Sequence, residues 1–180
     1  MKRFFSKSAL VPCLVLIVAL SACKGSGPNG KSSAVAGASP TRMVSLSSDV
    51  VRISSSAVQI PGNGSAEAVL NLSISPGFHV NANPATFSYL IPTQLTTGKV
   101  EGIGVGPPVY PAAEKKKFQF AEQPLAVYQG EIPIRLKLRA ETNAAAGLRS
   151  LPVNVRVQAC DEEQCFPPAT INTTISVTLK

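Results

Sequence analysis

Cys160 and Cys165 are the two side chains of this 180-residue chain best suited to chemistry. Four residues separate them, and they lie at a predicted turn between two runs of alternating apolar residues. In an oxidising compartment, two cysteines this close form a disulfide unless something keeps them reduced. The spacing therefore predicts either a structural disulfide or a dithiol–disulfide pair that exchanges with other thiols.

The residues around the pair favour the exchanging form. A disulfide across so short a loop stabilises a fold by only about 2 kcal/mol, so stability is a weak reason to have one. Asp161, Glu162 and Glu163 lie between the sulfurs and disfavour a thiolate, and no helix is expected nearby to lower a thiol pKa. We therefore expect a carrier that reacts when a partner's own thiolate attacks it, with Pro167 and Pro168 stiffening the exit of the loop.

His79 is the only histidine, and it follows the turn sequence Ser75-Pro76-Gly77 together with Asn81. A lone histidine of this kind is more often a hydrogen-bonded structural residue than a catalyst. A metal site needs three or four ligands, and His79 with the two cysteines falls short without a nearby carboxylate. Copper binding by these side chains is a third and weaker hypothesis, and we expect no metal or other cofactor.

Residues 44–180 alternate between apolar and polar side chains, as strands with one buried and one wet face do. Turn sequences rich in glycine and proline separate these runs, and no stretch has a helical period. We expect one domain, an all-β, immunoglobulin-like antiparallel β-sandwich. Pro133 interrupts one run and predicts a sheet edge or a bulge there.

The first 43 residues are predicted to export and tether this domain. Residues 1–22 have the basic start and short apolar run of a signal peptide. Their end, Leu20-Ser21-Ala22-Cys23, resembles the lipobox of bacterial lipoproteins, so we expect Cys23 to carry the lipid and residues 23–43 to form a flexible linker. Lys24, in place of aspartate, favours the outer membrane over the inner one. The alternative is an ordinary cleaved signal that leaves Cys23 as an unpaired thiol.

Charge gives little support to nucleic-acid binding. The formal charge of +7 falls to about +4 once the three basic residues of the leader are removed. The one dense basic run, residues 115–117, has no interleaved aromatic residues of the kind that stack on bases. We interpret this run as a solvated loop and expect no nucleic-acid partner.

A family resemblance rests on six parts of the sequence: residues 75–84, 89–93, 109–111, 118, 125–130 and 157–168. Together they resemble the amino-terminal periplasmic domain of DsbD, a thiol:disulfide interchange protein. The resemblance spans about residues 69–179, and it implies an immunoglobulin-like fold and an oxidoreductase-type exchange activity.

The resemblance also implies roles for individual residues. Cys165 would form the mixed disulfide with a partner, and Cys160 would resolve it. A cap loop with an aromatic residue would shield the sulfurs, and by position it would lie between Tyr110 and Phe118. The remaining site residues suggested by the family are His79, Asn81 and Phe166. His79 and Asn81 stand where relatives have aromatic residues of the active site.

The expected partners follow from the same resemblance. Electrons would come from a membrane thiol reductase of the DsbD or CcdA type. They would pass to thioredoxin-like proteins, disulfide isomerases or cytochrome c maturation factors in the periplasm. The sequence has neither a transmembrane conduit nor a thioredoxin-like domain, so we expect the electron donor to be a separate protein. The alternative is a non-enzymatic binding lipoprotein whose disulfide is structural.

Overall fold

The computed structural model describes residues 46–180, and the predicted leader, Cys23 and most of the linker lie outside them. The described chain forms twelve strands and one short 3-10 helix, Ser47–Asp49. Within these residues no helix is long and apolar enough to cross a membrane.

Two four-stranded sheets form the body of the domain. The first has the order β1-β3-β9-β6, and the second has the order β2-β12-β10-β5. The first comprises β1 (Val51–Ser55), β3 (Ser65–Ile74), β9 (Glu131–Ala140) and β6 (Ile103–Val105). The second comprises β2 (Val58–Ile60), β12 (Ala169–Leu179), β10 (Gly147–Val157) and β5 (Gln94–Thr97).

The apolar residues that alternate in the sequence are buried in these strands, and the polar residues between them face solvent. In β9, Ile134, Leu136 and Leu138 are fully buried. Arg135 and Lys137, which lie between them, are exposed. The buried residues of both sheets form one hydrophobic cluster, the core of a sandwich. The predicted all-β, immunoglobulin-like sandwich is thus confirmed. One pairing differs from a purely antiparallel arrangement, because β2 runs parallel to β12.

Pro133 lies where its missing N–H costs least. It faces Asn71 of β3, and β6 pairs with β9 only further along, from Leu138 to Ala140. An isolated bridge between Val109 and Arg135 begins just past the proline. The predicted edge position is therefore confirmed locally, since only one side of β9 is paired at Pro133 within the described chain.

A third, smaller sheet has the order β11-β4-β8-β7. It comprises β11 (Ala159–Cys160), β4 (His79–Asn81), β8 (Leu125–Tyr128) and β7 (Glu114–Lys116). The predicted loop at residues 115–117 was wrong, because Lys115 and Lys116 pair with Ala126 and Leu125 as part of β7. β11 follows β10 after one intervening residue, so the large second sheet holds the small one in place.

Candidate functional site

The two cysteines lie opposite each other on a tight hairpin. The amide of Phe166 donates to the carbonyl of Ala159 at 2.8 Å, and the amide of Asp161 donates to the carbonyl of Gln164 at 2.9 Å. Between these bonds Cys160 and Cys165 face each other and form a disulfide. The hairpin therefore presents the two sulfurs on the same side of the backbone.

The acidic residues between the cysteines form the turn of this hairpin. The Asp161 carboxylate accepts hydrogen bonds from the amides of Glu163 and Gln164, each at 2.8 Å. An aspartate that bonds the backbone two and three residues ahead stabilises a turn. The Asp161 carboxylate is thus hydrogen-bonded to the backbone of the turn, while Glu162 and Glu163 are exposed.

The two sulfur-bearing residues differ in accessibility. Cys160 is completely buried, whereas Cys165 is exposed. Cys165 also lines a cleft of about 520 Å³, together with side chains that are mostly apolar. The cleft residues besides Cys165 are Phe87, Tyr89, Leu90, Phe120, Ala121, Glu122, Gln123 and Leu125. An incoming thiolate therefore has access to Cys165 and not to Cys160.

Cys160 has a second neighbour across the sheet. β11 pairs with β4 in a register that sets Cys160 opposite His79. Residues directly opposite in antiparallel strands point to the same face, with Cβ atoms about 4.5–5.5 Å apart. His79, Cys160 and Cys165 consequently form a row across three strand segments, which we call the His–Cys–Cys row.

His79 is almost fully buried, at 1% exposure. Burial, and next the charge of Lys116, lower its pKa from 6.5 to about 4, although Glu162 and Asp161 act in the opposite direction. Its Nε2 atom has no hydrogen-bond partner among the described residues. The expectation of a hydrogen-bonded structural histidine is therefore not met at that nitrogen, and such an atom calls for an explanation.

Two aromatic side chains cover this site. The ring of Phe118 stacks on His79 with centroids 4.1 Å apart, and Phe120 stacks on Phe118 at 5.3 Å. Phe118 is buried, and Phe120 lines the same cleft as Cys165. We call Phe118 and Phe120 the aromatic cover. Its first member falls within the predicted cap segment, and sequence reasoning missed the second.

Charged groups hold the aromatic cover against the hairpin. Lys116, at the end of β7, forms a 2.6 Å ion pair with Glu162 in the turn between the cysteines. Its ammonium also lies 5.2 Å from the centroid of the Phe118 ring. Lys117 donates from its side chain to the carbonyls of Ala121 and Glu122. Lys116 and Lys117 of the basic run therefore hold the aromatic cover in place through these contacts.

Ser47 holds the base of the hairpin, and no pattern in the sequence indicates this. Its hydroxyl accepts from the amide of Ala159 at 2.9 Å and donates to the carbonyl of Pro167 at 2.7 Å. It is fully buried, in the 3-10 helix that begins the described chain. One side chain thus joins the chain segments before and after the disulfide. Only its burial, which tertiary packing determines, marks it as important.

The other predicted site residues have supporting positions. Asn81 is fully buried in β4 and donates to the carbonyl of Ile91 at 3.1 Å. Phe166 follows Cys165, and the centroid of its ring lies 5.9 Å from the centroid of the Phe78 ring. Tyr110 packs against the main core, and its hydroxyl accepts from the amide of Leu95 at 2.8 Å, so it is not part of the cover. Within residues 46–180 no three His, Cys, Asp or Glu side chains are grouped to hold a metal ion.

The fold and the site together define an immunoglobulin-like domain that carries a cysteine pair on a covered hairpin. The sequence model of the family described as "Thiol:disulfide interchange protein DsbD, N-terminal" matches residues 51–176. The chain belongs to this family, and it is thus a thiol–disulfide exchange module. No curated protein sequence matches the chain.

Two solved structures of such domains are similar to it. One is the N-terminal domain of Neisseria meningitidis DsbD in the reduced form, with 17% identity over 61% of this chain and 75% of that one, at a TM-score of 0.39. The other is the N-terminal periplasmic domain of ScsB from Proteus mirabilis, with 10% identity and a TM-score of 0.45. The match covers 70% of this chain and 44% of the ScsB chain, so this chain spans less than half of that structure.

The burial of His79 predicts a loss of stability in mild acid. Above pH 6.5 the imidazole is neutral in both the folded and the unfolded protein. As the pH falls towards about 4, only the unfolded form takes up the proton, so the unfolded state is stabilised relative to the folded one. Urea unfolding of the oxidised protein at pH 7 and pH 4 should show this loss, by up to about 3 kcal/mol.

The matched control is His79→Gln, which has no titrating ring but keeps every carboxylate. The free energy of unfolding of this variant should fall less between the two pH values. Parallel pH profiles for the wild type and the variant would show that the folded protein accommodates the protonated ring.

Proposed function

We propose that this protein is a lipid-anchored periplasmic module that carries reducing equivalents through Cys160 and Cys165. It receives them from a membrane thiol reductase of the DsbD or CcdA type. It passes them to thioredoxin-like proteins or disulfide isomerases of the periplasm. The observation that carries the proposal is the contrast between the exposed Cys165 and the buried Cys160 within one disulfide.

The first step is an attack on Cys165. The thiolate of the donor approaches through the cleft and bonds to the Cys165 Sγ, because this sulfur is the accessible one. The Cys160–Cys165 bond breaks, and its electron pair leaves on the Cys160 Sγ, which takes a proton. The second thiolate of the donor then attacks the donor's own sulfur in the mixed disulfide. The donor leaves as a disulfide, and both cysteines of the module are now reduced.

Delivery of the electrons reverses these steps with another partner. The Cys165 thiolate attacks a disulfide of the acceptor, one acceptor sulfur leaves with its electron pair, and a mixed disulfide forms. Cys160 then attacks the Cys165 Sγ, which restores the internal disulfide and releases the acceptor with two thiols. Two electrons and two protons pass to the acceptor, so no further oxidant or reductant is required.

The aromatic cover explains how such a pair can avoid exchange with unsuitable thiols. Phe118 lies over His79, and Phe120 borders the cleft of Cys165, so both restrict approach to the sulfurs. The Lys116–Glu162 ion pair links the cover to the turn between the cysteines. Breaking this exposed ion pair costs a partner little free energy.

Trapping tests the exchange itself. A Cys160→Ser chain cannot resolve a mixed disulfide, so in its host it should accumulate partners bound to Cys165. These should appear on non-reducing gels and disappear on reduction. The matched control is Cys165→Ser, which keeps only the buried cysteine and should trap far less. If Cys160→Ser traps no partner and the wild-type potential lies below about −300 mV, the disulfide is structural and the protein is a binding lipoprotein instead.

The lipid anchor is tested separately, because residues 1–45 lie outside the described structure. Each buried methylene of an acyl chain contributes about 0.8 kcal/mol, so lipidation at Cys23 should send the protein into the detergent phase on partition. Cys23→Ser should move it to the aqueous phase. Cys13→Ser, within the leader that is removed, should leave the partition unchanged. Equal partition of Cys23→Ser and the wild type would rule out this anchor.

The aromatic cover predicts a change in reactivity. Phe118→Leu keeps an apolar side chain but loses the stacking on His79 and Phe120. Each such pair is worth about 0.5–1.5 kcal/mol, so the loss of both should accelerate reduction of the disulfide by dithiothreitol about 5- to 150-fold. Phe87→Leu removes a similar stack with Tyr89 on the cleft wall and serves as the control. Equal acceleration by both variants would mean that Phe118 has no special shielding role.

A further inference from the structure

The second half of electron delivery presents a chemical difficulty. Cys160 must become a thiolate to attack Cys165, yet it is completely buried. Burial disfavours the charged form of a thiol, and nearby carboxylates do the same. Two such carboxylates, on Asp161 and Glu162, belong to the adjoining turn. A base close to Cys160 would remove this difficulty.

His79 is the side chain placed to be that base. It lies opposite Cys160 in the pairing of β4 with β11, on the side away from Cys165. It is the only histidine of the chain, so no other imidazole is available. Its Nε2 is buried and unpartnered within the described structure, so that it has a free position for a proton. Stacking under Phe118 fixes the plane of the ring.

We propose that His79 is the general base that deprotonates Cys160 when the mixed disulfide at Cys165 is resolved. This inference rests on the proposed function, of which it specifies one step. Imidazole takes the proton from the Cys160 Sγ, and the resulting thiolate attacks the Cys165 Sγ. The bond between Cys165 and the partner breaks, and its electron pair leaves on the partner's sulfur. The imidazolium then releases its proton to solvent and the partner's thiolate takes one up from solvent, so that protons and electrons balance.

The surroundings of His79 suit this task. The burial of the ring, and next the charge of Lys116 on β7, lower the pKa of the imidazole and keep it neutral at pH 7, and only a neutral imidazole can accept a proton. Asp161 and Glu162, the other charged groups that act on the ring, stabilise the imidazolium once it forms. The thiolate and the imidazolium attract each other strongly in a site that the aromatic cover keeps from water. This attraction offsets part of the cost that the lowered pKa of His79 adds to the proton transfer.

The test follows the reduced protein as it reacts with 5,5′-dithiobis(2-nitrobenzoic acid), a disulfide whose thiol product is coloured. The mature chain carries Cys23→Ser, so that Cys160 and Cys165 are its only thiols. Attack by Cys165 releases one coloured thiol, at a rate proportional to the reagent concentration. Resolution by Cys160 releases the second, at a rate independent of that concentration. The two phases therefore report the two cysteines separately.

We expect His79→Gln to leave the first phase within about twofold and to slow the second about 100-fold or more, the usual contribution of a general base. The pH profile gives a readout that a merely structural role would not change. In the wild type the second phase should be nearly flat from pH 5 to pH 8, because the base is neutral throughout. In His79→Gln it should rise about tenfold per pH unit, since it then follows the ionisation of the Cys160 thiol.

Two further measurements make the outcome decisive. His79→Phe retains an aromatic ring against Phe118 without a base, and it should reproduce the slow second phase if His79→Gln folds poorly. If neither variant folds, the wild-type profile still decides, because a second phase that rises about tenfold per pH unit from pH 5 to pH 8 contradicts the proposal. An unchanged second phase in either folded variant also overturns it.

Failure of this proposal is distinguishable from failure of the proposed function. The reagent needs no protein partner, so the two phases exist even if the disulfide never exchanges in the cell. Absence of trapped partners with a second phase that depends on His79 would refute the carrier function alone. Trapped partners with a second phase insensitive to His79 would refute the general base alone.

Discussion

The site depends on one register, the antiparallel pairing that sets Cys160 opposite His79. Cys160 is flanked by His79 on one side and Cys165 on the other, so a single strand residue organises the His–Cys–Cys row. Two bonds of the hairpin hold Cys160 against Cys165, and the hydroxyl of Ser47 accepts from the amide of the preceding residue, Ala159. A shift by one residue would turn Cys160 to the opposite face and separate it from both neighbours. The chemistry proposed for the pair follows from this arrangement.

The charges around the row have distinct tasks. The acidic turn disfavours a thiolate, which limits the reactivity of the pair towards unsuitable partners. Glu162 of the same turn binds Lys116 and thereby fastens the aromatic cover. Lys116 also adds to the effect of burial in lowering the pKa of the His79 imidazole. Shielding of the sulfurs and tuning of the histidine are thus coupled through one lysine, and movement of the cover changes both.

The large sheets supply rigidity instead of chemistry. β10 pairs along its whole length with β12, and the cysteine hairpin connects the two strands. The hairpin therefore leaves and re-enters a well-packed sheet, where its ends have little freedom. The small sheet adds His79 from β4 and the base of the cover from β7. Exchange can occur at an exposed sulfur while the scaffold behind it stays fixed.

Local patterns in the sequence were sufficient for the fold and for part of the site. Alternation with period two is a local property, so the strands, the sandwich and the edge position of Pro133 could be predicted from it. The cysteine pair and Phe118 could be named from spacing and family resemblance. The run at residues 115–117 was misread as a loop, because its strand character comes from pairing with β8 and not from its own residues.

The sequence by itself determined which residues alternate, where the chain turns, and that two cysteines lie within reach of each other. The tertiary structure alone decided which cysteine is buried, which aromatic rings cover the pair, and that His79 lies beside Cys160. The reason is physical. Burial, ring stacking and a lowered pKa depend on groups far apart along the chain, such as Ser47, Lys116 and Cys160, and only folding brings those groups together.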